Sequence, residues 1–168
     1  KKNMKGLIID LRDNGGGLLQ ECVKITDSLV GEGTIVYTID NKGRKEVIPS
    51  DKNKVDVPIV ILVNGGTASA SEILSGAIKD LKAGTLVGTR TFGKGLVQNI
   101  IPLKADNSAV KVTIERYYTP SGVCIQGKGI EPDVVVEMPD ELRDKNTLTR
   151  SEDVQFKKAV EVIKGQIH

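Results

Sequence analysis

Apolar and polar positions follow two periods along this chain, and each period marks an element. The run GLIIDL at 6–11 is short and apolar and ends at Asp13-Asn14-Gly15-Gly16-Gly17, so it reads as a buried strand entering a tight glycine turn. Beyond the turn, Leu18, Leu19, Cys22, Val23, Ile25, Thr26 and Leu29 fall on one face of a helix that Gly31 can stop. The same order then returns. Val57-Pro58 opens a β-branched run at 59–63, Asn64-Gly65-Gly66 turns the chain, and 69–81 regains helical spacing. Between the two units, 34–39 and 45–48 flank the turn-rich Asp40-Asn41-Lys42-Gly43 and predict a β-hairpin.

The second half is richer in sheet. A short strand is expected at 85–88, and long β-rich runs at 96–103 and 109–118 are separated by a polar turn at 104–108. Pro120-Ser121-Gly122 and Pro132 break the chain, 133–136 is extended, and 151–164 is an amphipathic helix with Asp153 near its start. The sum is one α/β domain over 1–168, bordering on α+β, with a doubled strand-turn-helix unit and a β-rich second half. Only 140–149 reads as lying outside the folded part.

Composition removes several function classes. The 24 Lys and Arg against 22 Asp and Glu leave a net charge of +2, which gives no electrostatic reason to expect a nucleic acid partner. Cys22 and Cys124 are too few for a disulfide framework and lack metal-ligand spacing, so two unpaired thiols and no metal site are expected. No apolar run approaches a membrane span, and KKNMKGLIIDLR lacks the apolar stretch of a signal peptide. The opening on Lys1, just before a strand, suggests that a further N-terminal part precedes this segment.

The glycine turns carry the candidate chemistry. A turn from strand to helix leaves the first helical N–H groups unpaired and able to stabilise negative charge. If the two turns converge, the amides of Ala70 and of the glycine run form an oxyanion hole, with Gly16 the first choice within 15–17. Ser69 would stand beside them as nucleophile, although Ser69-Ala70-Ser71-Glu72 is also a capping box that needs no further purpose. The sole histidine, His168, is the last residue, which argues against a Ser-His-Asp triad. A lysine base remains. It must be neutral, and stripping solvent from an ammonium to that extent is worth about 4 kcal/mol, so the lysine needs an enclosed, mostly apolar setting. Lys94 in TFGKGLVQ has small and apolar neighbours, and in an extended segment Gln98 would project to the same side and orient its amine. An ordinary turn lysine is the plainer reading of that segment alone. Two decoys overlap these residues. GTRTFGK at 88–94 resembles a phosphate-binding loop but is followed by Gly95 and a strand in place of Ser or Thr and a helix. Ser108-Ala109-Val110-Lys111 matches a serine-x-x-lysine pattern but enters a strand.

Taken together, LIIDLRDNGGGLL, ILVNGGTASASEILSGAIKD, LVGTRTFGKGLVQ, RYYTPSG and GKGIEPDVVVE resemble the carboxyl-terminal processing peptidases, or tail-specific proteases, over nearly the whole chain. The resemblance implies a crotonase-like core and a serine endopeptidase that cleaves proteins near exposed C-termini, with Ser69 as nucleophile, Lys94 as base and Gln98 as its orienting partner. It implies oxyanion donors at Ala70 and the glycine run, no cofactor, a location outside the cytoplasm, and a helical region and a PDZ domain ahead of this segment. Because related folds bind ligands without proteolysis, a non-proteolytic binding domain is the alternative.

Overall fold

The computed structural model describes residues 4–103, 108–143 and 148–167, so His168 and most of the turn at 104–108 lie outside the described residues. In chain order the elements are β1 (Leu7–Asp10), α1 (Leu19–Asp27), β2 (Gly33–Asp40), β3 (Lys45–Ser50), β4 (Ile59–Val63), α2 (Ala70–Asp80), β5 (Thr85–Gly88), β6 (Leu96–Pro102), β7 (Ala109–Tyr118), β8 (Val134–Val135), α3 (Asp140–Arg143) and α4 (Val154–Gln166).

A parallel sheet runs β1-β4-β5-β8. Its centre, β4, consists of five consecutive apolar residues, all buried, because helices cover both faces. Ile59, Ile61 and Val63 join one core cluster with Cys22 of α1 and Ile73, Leu74, Ala77 and Ile78 of α2. Val60 and Leu62 point the other way and pack against Ala159 and Ile163 of α4. One strand thus holds two cores together, and the fold is of the mixed α/β class expected.

The second sheet is antiparallel, β3-β2-β7-β6. Its first hairpin closes where Asp40 Oδ1 accepts from Lys42 N and Arg44 N, each at 2.8 Å. Ile35 and Val36 of β2 are fully buried in the core shared with α2. The far ends of β6 and β7 leave that core, so Ile100, Ile101, Val110 and Val112 are exposed.

Two details depart from the sequence reading, and a third, at Asp153, agrees with it. Leu18 and Ile25, grouped with the apolar face of α1, are 75% and 51% exposed, while Cys22 and Thr26 are buried. Residues 140–143, expected outside the folded part, form the turn of helix α3. Asp153 is the N-cap of α4, accepting from Phe156 N at 2.9 Å, and it also holds that helix to the turn after β1 through a two-pronged pair with Arg12 at 2.7 and 3.0 Å. Cys22 and Cys124 are both free thiols. Among the described residues no helix is long and apolar enough to cross a membrane.

Candidate active site

Because β1 and β4 are parallel neighbours, paired Asp10 to Leu62, the glycine turns that follow them leave from the same edge of the sheet. Side chains lace them together. Asn64 Oδ1 accepts from Asp13 N and Gly66 N at 2.9 and 3.0 Å, and its Nδ2 donates to Asp13 Oδ1 at 3.0 Å. Thr67 Oγ1 donates to Leu11 O at 2.7 Å. Asn14 completes the lacing, its carbonyl accepting from Ala68 N at 3.0 Å and its Oδ1 from Gly16 N at 2.9 Å.

The convergence expected from the two glycine turns is therefore present. Gly16 has φ +94°, and a β-carbon there would come 2.7 Å from Ala68 O, 2.8 Å from Ala70 N and 3.0 Å from Ser69 Cβ. Only glycine can lie this close against the Ser69–Ala70 peptide. Ala70 N–H stands in the first turn of α2, where no intrahelical carbonyl is available to it. The Gly16 N–H is already engaged by Asn14 Oδ1. Ser69, the N-cap of α2, has φ 58° and ψ −120°, a strained backbone for a residue with a side chain.

Glu72 ties this turn to the lysine loop. Fully buried, it accepts from Ser69 N at 2.9 Å, Thr91 Oγ1 at 2.6 Å, Gly93 N at 2.7 Å and Lys94 N at 2.8 Å. Four donors satisfy a carboxylate that could not otherwise be buried. Sequence reasoning recognised Glu72 only as the second half of a capping box. The loop is gripped from its other side as well, with Gly127 N donating to Gly93 O at 2.9 Å and Gly95 N to Gln126 Oε1 at 2.9 Å. Gly93, at φ +91°, has room for no β-carbon, which would meet Gly129 N at 2.9 Å.

The structure corrects one expectation about Lys94. Lys94 is exposed, not enclosed by apolar groups, because the loop is anchored through main-chain N–H groups and not through packing around this side chain. Gln98 is half-buried on β6, and its amide nitrogen lies 3.4 Å from Thr113 Oγ1 on β7. Beyond Lys94 the chain passes through Gly95 straight into β6, so 88–94 does not open a helix as a phosphate loop does.

The sequence profile of peptidase family S41 matches residues 1–136. The chain belongs to that family. It is 49% identical over 142 residues to a carboxy-terminal-processing protease of Bartonella bacilliformis, a match covering 81% of this chain and 32% of the relative. It is 44% identical over 163 residues to a carboxyl-terminal-processing protease of Synechocystis, covering 96% of this chain and 38% of the relative. A solved structure, the photosystem II D1 C-terminal processing protease, superposes with a TM-score of 0.75 at 45% identity, covering 82% of this chain and 37% of that one. The chain thus spans about a third of the length of these proteins.

Proposed function

We propose that this S41 chain is the catalytic core of a serine endopeptidase that cleaves proteins near exposed C-termini, with Ser69 as nucleophile and Lys94 as general base. One observation carries the reading. The Glu72 carboxylate accepts from both Ser69 N and Lys94 N, so the serine turn and the lysine loop are one rigid unit. Neutral Lys94 takes the Ser69 proton as the hydroxyl attacks a peptide carbonyl, then returns it to the leaving amine. A second cycle with water releases the acyl group. Ala70 N–H receives the oxyanion, and Gly16 supplies the second donor by exchanging Asn14 Oδ1 for that stronger acceptor. Gln98, donating through its nitrogen to Thr113, keeps its amide oxygen for Lys94 Nζ.

No cofactor enters these steps. Lys94 becomes dry when the substrate peptide and the remainder of the protein cover the loop, which sets this reading beside its alternative, a non-proteolytic binding domain with a permanently open Lys94. The same reading assigns a PDZ domain ahead of this segment to grip the substrate carboxylate, and a location outside the cytoplasm. The test uses the intact protein, a quenched-fluorescent peptide and a serine-directed phosphonate. Ser69→Ala and Lys94→Ala should each lower turnover by roughly a thousandfold or more, and Ser69→Ala should abolish labelling. Unchanged turnover in either variant ends the proposal, and binding without labelling or turnover establishes the alternative.

A further inference from the structure

A pocket of about 200 Å³ opens beside the Ser69–Ala70 turn. Its walls include Leu11, Leu18, Cys22, Ile25, Ala70 and Leu74, and Gly16 and Gly17 lie on its edge. Asn14 and Ser71 also line it, and among the described residues the one charged side chain on it is Glu21, which pairs with Lys24 at 2.8 Å. Leu18, Cys22 and Ile25 follow an i, i+4, i+7 spacing along α1, so one stripe of the helix lines the pocket. This accounts for the exposed Leu18 and Ile25, which stand beside an opening and not in the core.

Cys22 is the buried member of that stripe. Its Sγ donates to the carbonyl of Ala70 at 3.0 Å, adjacent to the N–H that receives the oxyanion in the proposed reaction. Burial pushes its pKa up, so it stays a neutral thiol, a small and nearly apolar surface. A substrate carbonyl held at Ala70 N–H brings the side chain of that same residue, the one on the acyl side of the scissile bond, to this pocket.

Resting on the proposed peptidase reading, we infer that Cys22 is the specificity-determining residue of an acyl-side pocket and sets its depth, selecting apolar side chains up to a branched aliphatic or a single ring. An apolar cavity of roughly 150 Å³ holds a benzene, so this one has room for such groups. Acidic side chains are refused by the apolar walls and by Glu21.

The test measures kcat/KM of the intact protein on peptides of one sequence that vary only at the acyl-side residue, from glycine through alanine, leucine and phenylalanine to tryptophan and aspartate. Cys22→Leu fills the floor and should lower the leucine-to-alanine ratio about tenfold or more, whereas Cys22→Ala deepens it and should raise the tryptophan-to-leucine ratio several-fold. Leu18→Ala, at an exposed position that cannot unfold the core, should lower the leucine-to-glycine ratio about threefold to tenfold. Ser69→Ala runs alongside. If it abolishes cleavage while all three ratios stay at their wild-type values, the pocket assignment is overturned and the peptidase reading stands. Cleavage that survives Ser69→Ala, or a wild type that cleaves none of the series, overturns the peptidase reading and this inference with it.

Discussion

At Gly16 the site tolerates no side chain. A β-carbon would press on Ala68 O and Ala70 N from a φ of +94°, so Gly16→Ala must push the two turns apart. The strain costs about 1–3 kcal/mol, which a domain of this size withstands, but the Ala70 amide loses its alignment. Gly16→Ala should therefore remain folded by circular dichroism while kcat falls by roughly a hundredfold and KM changes little. Glu72 acts at one remove, through the main chain. Glu72→Gln keeps the shape but presents an NH₂ to some of the four donors now facing a carboxylate. Each unsatisfied buried donor costs about 1–3 kcal/mol, so thermal unfolding should show a marked drop in stability. The surviving folded protein should lose kcat in greater proportion than affinity for substrate, since the Lys94 loop is no longer pinned to the Ser69 turn.

Helix α4 is held to the parallel sheet by charge as well as by Ala159 and Ile163. Burial alone pushes Asp153 up, but hydrogen bonds from Arg12 and from the Phe156 N–H outweigh it and hold the carboxyl below its ordinary value. With the folded-state pKa depressed, the stabilisation is complete above about pH 4 and is lost as pH falls through the folded-state value. Asp153→Asn should cost about 1–3 kcal/mol at neutral pH, and its stability should converge with wild type as denaturation is followed from about pH 5 to pH 2. A constant difference across that range would contradict the assignment. Elements of this kind differ in how well the sequence announces them. β4 is legible to the residue because an unbroken apolar run bounded by Pro58 and Asn64 has few other solutions. α1 is legible as a helix but not as a surface, since periodicity groups Leu18 and Ile25 with Cys22 without saying which face a pocket. The glycine turns, Ser69 and Ala70 follow from local chemistry. Asn14 and Glu72 do not, although asparagine in a turn and S-x-x-E at a helix start were visible signals, because their further partners come from distant segments. The exposure of Lys94 is not legible for the same reason, enclosure being a property of what packs across a side chain.

For the molecule as a whole, the open Lys94 and the exposed outer ends of β6 and β7 mark what this segment leaves uncovered. The chain spans about a third of its curated relatives' length, and the proposed chemistry needs a dry amine. This chain alone should cleave peptides roughly tenfold or more slowly than the intact protein, measured at equal concentration on one fluorogenic substrate. Equal rates would show that substrate alone closes the site. The binding of one carboxylate to donors at 69, 91, 93 and 94, in a loop itself braced by Gln126 and Gly127, also has a meaning for biosynthesis. Gln126 and Gly127 follow Ser69 and Lys94 in the chain, so on the proposed reading a growing chain holds hydroxyl and amine in register only once that later segment has been made and has docked.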